Sequence, residues 1–139
     1  MLFENKLRGC DQHGCGHWGA PRGNVKHKGL DVACHSGQKV LSPVDGIVTK
    51  VGFAYSKMYL SKNHYRFVEI EVNENVRIRI FYIEPFVATG HTVLKGQWIG
   101  SQQALGGIYG GITEHIHIEF WDNGKRKNPI GFFNEFCLT

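Results

Sequence analysis

Glu114-His115-Ile116-His117-Ile118-Glu119-Phe120 alternates polar and apolar residues without a break. Successive side chains of a β-strand point to opposite faces, so His115, His117 and Glu119 share one face and Ile116, Ile118 and Phe120 the other. Such a strand buries its apolar face while presenting two imidazoles to a common site. Two further stretches keep the same period. Residues 67–72 and 76–81 alternate on either side of Asn73-Glu74-Asn75, which predicts a β-hairpin. Glu69 and Glu71 then face Arg77 and Arg79 as exposed, register-setting pairs worth ~0.2–1 kcal/mol each. Short strands are also expected at 39–41, 47–51 and 98–101, and 18 glycines punctuate the chain. The fold class is therefore all-β, a single antiparallel β-sheet domain with short surface loops.

Far upstream lies His27-Lys28-Gly29-Leu30-Asp31. A bend at Gly29 can turn His27 and Asp31 towards one point. Imidazole and carboxylate groups in this mixture suit zinc, which takes few ligands in tetrahedral number and leaves one position open in a reactive site. Calcium and magnesium want more oxygens. Spacing alone leaves open whether His115 or His117 completes the set.

The 139 residues suit one domain with one core. A formal net charge of +4 is mild and its cations are scattered, with Lys125-Arg126-Lys127 the densest group, so nucleic acid is not an expected partner. No apolar run approaches the ~18 residues of a bilayer span, so membrane insertion is not expected. Met1-Leu2-Phe3-Glu4-Asn5-Lys6 lacks the apolar segment of a signal peptide, and a secreted protein is expected here in mature form.

Residues 1 to about 24 read as an irregular arm with turn material at Pro21-Arg22-Gly23-Asn24. Residues 52–65 read as a loop whose Tyr55, Tyr59, His64 and Tyr65 either line a groove or pack at the surface. Gly106-Gly107 and Gly110-Gly111 make a flexible approach to His115, without the lysine and helix of a phosphate loop. Asp122-Asn123-Gly124-Lys125 signals a tight hairpin. Ile130, Phe132, Phe133 and Phe136 are expected to pack as a closing helical turn. Four cysteines permit three pairings. Cys10 and Cys15 bracket a short loop that a disulfide can close, and with His13 or His17 they offer a second zinc site as the alternative.

The pair His27-x-x-x-Asp31 and His115-x-His117 resembles the motif pair of the lysostaphin-type zinc endopeptidases. The likeness extends through Gly37-Gln-Lys-Val40, 43–48, 90–100, Asn123-Gly124 and Asn128-Pro129, nearly all of 19–133. It implies that family's fold, the duplicated hybrid motif, over a domain at 19–139 preceded by an irregular arm at 1–18. It implies Zn2+ as cofactor, with His27, Asp31 and His117 as metal ligands. His115 matches one of two catalytic histidines and is catalytic only if the protein is active. The second belongs to a Tyr-x-His motif. The matching stretch here is Phe81-Tyr82-Ile83-Glu84, which places Ile83 or, shifted by one, Glu84 where an imidazole is needed. His35, His64 and His91 are the imidazoles left to stand in.

A narrower resemblance is to the leukocyte cell-derived chemotaxin 2 family, carried by Cys10-Asp-Gln-His-Gly-Cys15-Gly16, His27-Lys-Gly-Leu-Asp31-Val-Ala-Cys34, Ile80-Phe-Tyr-Ile-Glu-Pro85 and Gly111-Ile112. It supports a Cys10–Cys15 disulfide. Both partners of another family disulfide are replaced together, by Arg77 and Trp121. The family partner of Cys34 has no match upstream of Cys10, which leaves Cys137 as its expected partner. That family shares the Phe-Tyr-Ile departure, and its role is extracellular signalling rather than proteolysis. The resemblance therefore implies a secreted zinc-binding signalling or innate-defence protein with a cell-surface receptor or other extracellular protein as partner. The alternative is an active zinc metalloendopeptidase cleaving Gly-rich peptides such as peptidoglycan cross-links, which the Asn123-Gly124 and Asn128-Pro129 ending favours.

Overall fold

The computed structural model describes residues 7–130 and the backbone of 137–138. Of the expected closing turn, Phe132, Phe133 and Phe136 lie outside the described residues, and Ile130 is exposed rather than packed. In chain order the strands are β1 (Cys10–Asp11), β2 (Gly14–Cys15), β3 (Pro21–Arg22), β4 (Val25–Lys26), β5 (Leu30–Ala33), β6 (Lys39–Leu41), β7 (Gly46–Phe53), β8 (Arg66–Glu71), β9 (Val76–Phe81), β10 (Ile83–Pro85), β11 (Thr92–Val93), β12 (Trp98–Gln102), β13 (His115–Asp122), β14 (Lys125–Lys127) and β15 (Cys137–Leu138). All pairings among them are antiparallel, and no α-helix joins them among the described residues.

The main sheet runs β11-β7-β8-β9-β13-β14, with β5 also paired to β13. A second sheet runs β10-β12-β6-β15. Ile116 and Ile118 of β13 are buried with Val68 and Ile70 of β8, Ile78 and Ile80 of β9, and Val40, Ile83 and Ile99 from the second sheet. These β-branched side chains fit a pleated surface and fill the space between the sheets. Asp122 and Lys125 pair across a two-residue turn, with φ of 51° at Asn123 and 77° at Gly124. Two positive φ values are what a hairpin turn of this length demands, hence Asn-Gly.

The register of β8 on β9 sets Glu69 opposite Arg79 and Glu71 opposite Arg77, as the alternation predicts. Exposure differs from expectation. Glu69 is buried, accepts from Arg79 Nε at 2.6 Å and from Thr49 Oγ1 at 3.0 Å, and belongs to a packed polar layer rather than a solvated face. The arm also differs, because β1–β2 and β3–β4 are two-stranded ribbons where irregular chain was expected.

Cys10 and Cys15 are bridged across the first ribbon. Cys34 is a free thiol and not the expected partner of Cys137, whose side chain lies outside the described residues. Cys34 follows β5 in the main sheet, and the Cys137 backbone pairs with Leu41 in the second. Burial, with the Glu114 charge beside it, pushes the Cys34 thiol up to about 12. Only the thiolate is nucleophilic, so Cys34 should resist iodoacetamide near neutral pH and react once the chain is unfolded. Non-reducing peptide mapping checks this directly, and a Cys34–Cys137 cross-linked peptide would refute it.

Candidate metal centre

Strand register builds the centre. In the β5–β13 pair Asp31 sits directly opposite His117, and His115 opposite Ala33. Asp31 therefore occupies a strand rather than the bend. His27 lies just outside β5, tied back by His27 N donating to Ala20 O at 2.7 Å. Gly29 is required by close approach, since a Cβ there would lie 2.3 Å from His117 Cε1 and 2.7 Å from Ile118 O.

Three donor atoms converge. His117 Nδ1 is 2.8 Å from Asp31 Oδ1, His27 Nε2 is 3.3 Å from the same oxygen, and the two nitrogens are 3.1 Å apart. Ligands at zinc distances on a tetrahedron stand roughly 3.4 Å apart, so the triangle is slightly tighter than a filled one. The remaining ring nitrogens are held by outer partners. His27 Nδ1–H donates to His17 O at 2.9 Å, and His117 Nε2–H donates to Glu119 Oε2 at 3.2 Å. In the metal-free protein the Nδ1–H of charged His117 donates to Asp31 Oδ1, and a metal would take that proton's place while the other nitrogen of each ring stays tied to its outer partner. Arg8 Nη1 donates to Asp31 Oδ2 at 2.8 Å, which leaves Oδ1 for the metal. The donor set fits a zinc ion with three protein ligands.

His115 is placed differently. Its Nδ1–H donates to Thr113 O at 2.6 Å, and its Nε2 is 3.5 Å from Asp31 Oδ2, the oxygen turned away from the other two histidines. Burial lowers its pKa against the partial opposition of Asp31, so the ring is neutral with a free Nε2 lone pair. Around it opens a groove of about 280 Å3. Tyr55, Tyr82 and Tyr109 line one wall, their hydroxyls linked at 3.2 and 3.3 Å through Tyr55. Burial pushes the Tyr82 phenol up to about 12 and raises Tyr55 as well, so both stay protonated near neutral pH.

Neither residue standing for the second catalytic histidine reaches this groove. Ile83 is fully buried in the core, and Glu84 is exposed on β10, paired with Ser101. His35, His64 and His91 do not line it either, whereas His13 does. His13 Nε2 sits 2.7 Å from Gly110 O, and Gln12 Nε2 donates to the same carbonyl. Sequence reasoning offered His13 only to a second zinc site, which the Cys10–Cys15 disulfide rules out, because its reach to the groove depends on the disulfide ribbon folding across the 103–113 loop. Of the four aromatic residues expected at 52–65, Tyr55 alone lines the groove, while Tyr65 is core.

Charge couples the centre to pH. Burial raises the Asp31 carboxyl, but hydrogen bonds from His117 and His27 outweigh it and hold the group far below the carboxylate range. Burial likewise opposes a charged His117, but Asp31 and Glu119 outweigh it and lift the ring from 6.5 to about 9. A raised folded pKa stabilises below the unfolded value and is lost as pH rises through the folded one. Metal-free protein should therefore lose of order 3 kcal/mol between about pH 6.5 and 9. On the acid side, Asp31 contributes above about pH 4 and its share fades as pH falls below that. A zinc ion held here would invert the alkaline limb, because it requires neutral His117. Urea midpoints of metal-free and zinc-loaded protein should diverge as pH rises, and parallel curves would contradict the assignment.

Residues 25–129 match peptidase family M23. The chain is 36% identical over 125 residues to leukocyte cell-derived chemotaxin-2 of Bos taurus, covering 85% of this chain and 75% of that protein. The Mus musculus protein of the same name is 33% identical over 126 residues, with 86% and 76% covered. The crystallised catalytic domain of lysostaphin from Staphylococcus simulans superposes with TM-score 0.68 at 20% identity, over 95% of this chain and 94% of that one. The solution structure of lysostaphin gives 0.70 at 21% identity, but this chain spans only 51% of it. At such identities the structural likeness speaks for the fold alone.

Proposed function

The chain belongs to peptidase family M23 as a homologue of leukocyte cell-derived chemotaxin-2, and on that premise we propose that it is a secreted zinc-binding protein that signals or defends by recognising an extracellular protein. The observation that carries the zinc half is the convergence of His27 Nε2, Asp31 Oδ1 and His117 Nδ1, with the other nitrogen of each ring tied to an outer partner. Burial of Ile83, with phenols on the groove wall, supports the recognition half. A second acid–base imidazole is typically worth 10²–10⁴-fold in rate, and neither position that could match it, Ile83 or Glu84, holds an imidazole.

A second reading is favoured by His115. Its neutral ring and free Nε2 lie in the same groove as the three donors, placed to take up a proton or steady a polarised carbonyl. Zinc in such a centre supplies a Lewis acid and an acidified water. Arg8 would keep Asp31 turned towards the metal, and the tyrosine hydroxyls would orient a peptide backbone. Cleavage of a pentaglycine-type peptide by zinc-loaded protein separates the two. No turnover beside tight zinc binding is expected. Turnover abolished by His115→Ala would make the peptidase reading the correct one.

A further inference from the structure

The segment between β7 and β8 closes on itself, with Ala54 N donating to Tyr65 O at 2.8 Å. Compact surface loops with adjoining ends are frequent carriers of function. This one is tied internally. Tyr59 N donates to Ser56 O at 3.1 Å, Lys62 N to Tyr59 O at 3.0 Å, and Asn63 Nδ2 reaches across to Lys57 O at 3.0 Å. Lys62 Nζ lies over the Tyr55 ring at 4.3 Å and the Tyr59 ring at 5.1 Å.

That order holds apolar side chains out in water. Met58 is 75% exposed, Tyr59 50% and Leu60 85%, and Phe53 at the base of the loop is 58% exposed. Single exposed apolar residues are ordinary. Three in succession at one tip form a patch of the kind that marks an interaction site. Cations flank the tip. Lys57 precedes Met58, Lys62 follows two residues after Leu60, and the Arg66 guanidinium lies 5.0 Å from the Phe53 ring. No carboxylate occurs anywhere from 46 to 68.

We propose that this tip attaches the protein to an anionic lipid surface, with Met58 and Leu60 entering the acyl boundary and Lys57, Lys62 and Arg66 facing acidic headgroups. The composition favours this occupant over a protein. Lysine is depleted from the faces that proteins present to one another. At a bilayer surface its apolar stem lies along the hydrocarbon while the ammonium stays in water, and a tyrosine such as Tyr59 sits at headgroup level. Attachment lies in the interface plane and involves no span, since no helix among the described residues is long and apolar enough to cross a membrane. Tyr55 of the same loop lines the metal groove, so a docked tip holds that groove beside the surface. The attachment depends on neither zinc nor catalysis.

Vesicles of phosphatidylcholine with about one-third phosphatidylserine are the probe, sedimented with the full chain at about 0.15 M salt. Binding to pure phosphatidylcholine vesicles should be at least about tenfold weaker, because each cation near an acidic leaflet is worth about fivefold. Met58→Ser/Leu60→Ser should weaken binding to the acidic vesicles at least about tenfold, and Lys57→Gln about fivefold. Lipids brominated in the acyl chain should quench a Leu60→Trp variant beyond the parent, whose tryptophans are at 18, 98 and 121. An unchanged urea midpoint certifies the fold of each variant. Absence of sedimentation, equal binding to neutral vesicles, or full binding by the double serine variant each overturns the proposal. So does a dimer in vesicle-free solution that the double variant abolishes, which would make the tip a contact between copies.

Discussion

His117→Ala should lose zinc, and His115→Ala should keep it. The two histidines sit two residues apart on one face of β13, and only their surroundings separate them. His117 Nδ1 is 2.8 Å from Asp31 Oδ1 and 3.1 Å from His27 Nε2, so removing it takes away one corner of the triangle. The two donors left behind form no closed site. Loss of outer-shell partners alone typically costs 10–100-fold in affinity, so the loss here should exceed about 100-fold. His115 Nε2 faces Oδ2 of Asp31 at 3.5 Å, on the side already taken by Arg8. Its removal should leave zinc affinity within about threefold of the parent, less than an outer-shell loss. Competition against a chromogenic chelator reads both variants. The reverse pattern, with zinc kept by His117→Ala and lost by His115→Ala, would sink the ligand assignment.

Arg8→Ala should be among the most destabilising single substitutions. The guanidinium is buried and makes three charge-assisted hydrogen bonds, Nη1 to Asp31 Oδ2 at 2.8 Å, Nη2 to Asp11 Oδ1 at 2.8 Å and Nε to Asp11 Oδ2 at 3.1 Å. Asp11 in turn accepts from Thr113 N and His13 N, both at 2.8 Å. One side chain therefore joins the disulfide ribbon, β5 and the segment before His115. Truncation leaves two carboxylates without their shared counter-charge, and breaking a buried pair from one side costs about 3–5 kcal/mol. Arg8→Lys should fall in between, because an ammonium keeps the charge but not the planar fork. Urea unfolding of the metal-free proteins measures both. A loss below about 1 kcal/mol for Arg8→Ala would place Arg8 with solvated surface pairs instead.

The His-x-His strand illustrates how far local pattern reaches. Period-two alternation was legible at 114–120, and the buried Ile116 and Ile118 with the inward His115 and His117 follow from it. Hairpin register was equally legible, because Asn-Gly at 123–124 and the charge pairs at 69/79 and 71/77 admit one alignment. Burial of Glu69 was not, because exposure depends on what covers the sheet. The state of Cys34 was not legible either, since a disulfide needs two cysteines brought within a few ångströms by segments far apart in sequence.

By itself the sequence determined an antiparallel β domain, a family, and a short roster of candidate donors at 27, 31, 115 and 117, because each rests on periodicity or on spacing within a few residues. Tertiary structure decided the rest. It set Asp31 opposite His117 across β5 and β13, oriented the two donor rings through His17 O and Glu119, and turned His115 to the other carboxylate oxygen. It also brought Arg8 and His13 from the arm to the groove. The physical reason is range: a strand's period fixes which face a side chain takes, but metal coordination and charge pairing act over about 2–4 Å between groups that only the pairing of distant strands can bring together.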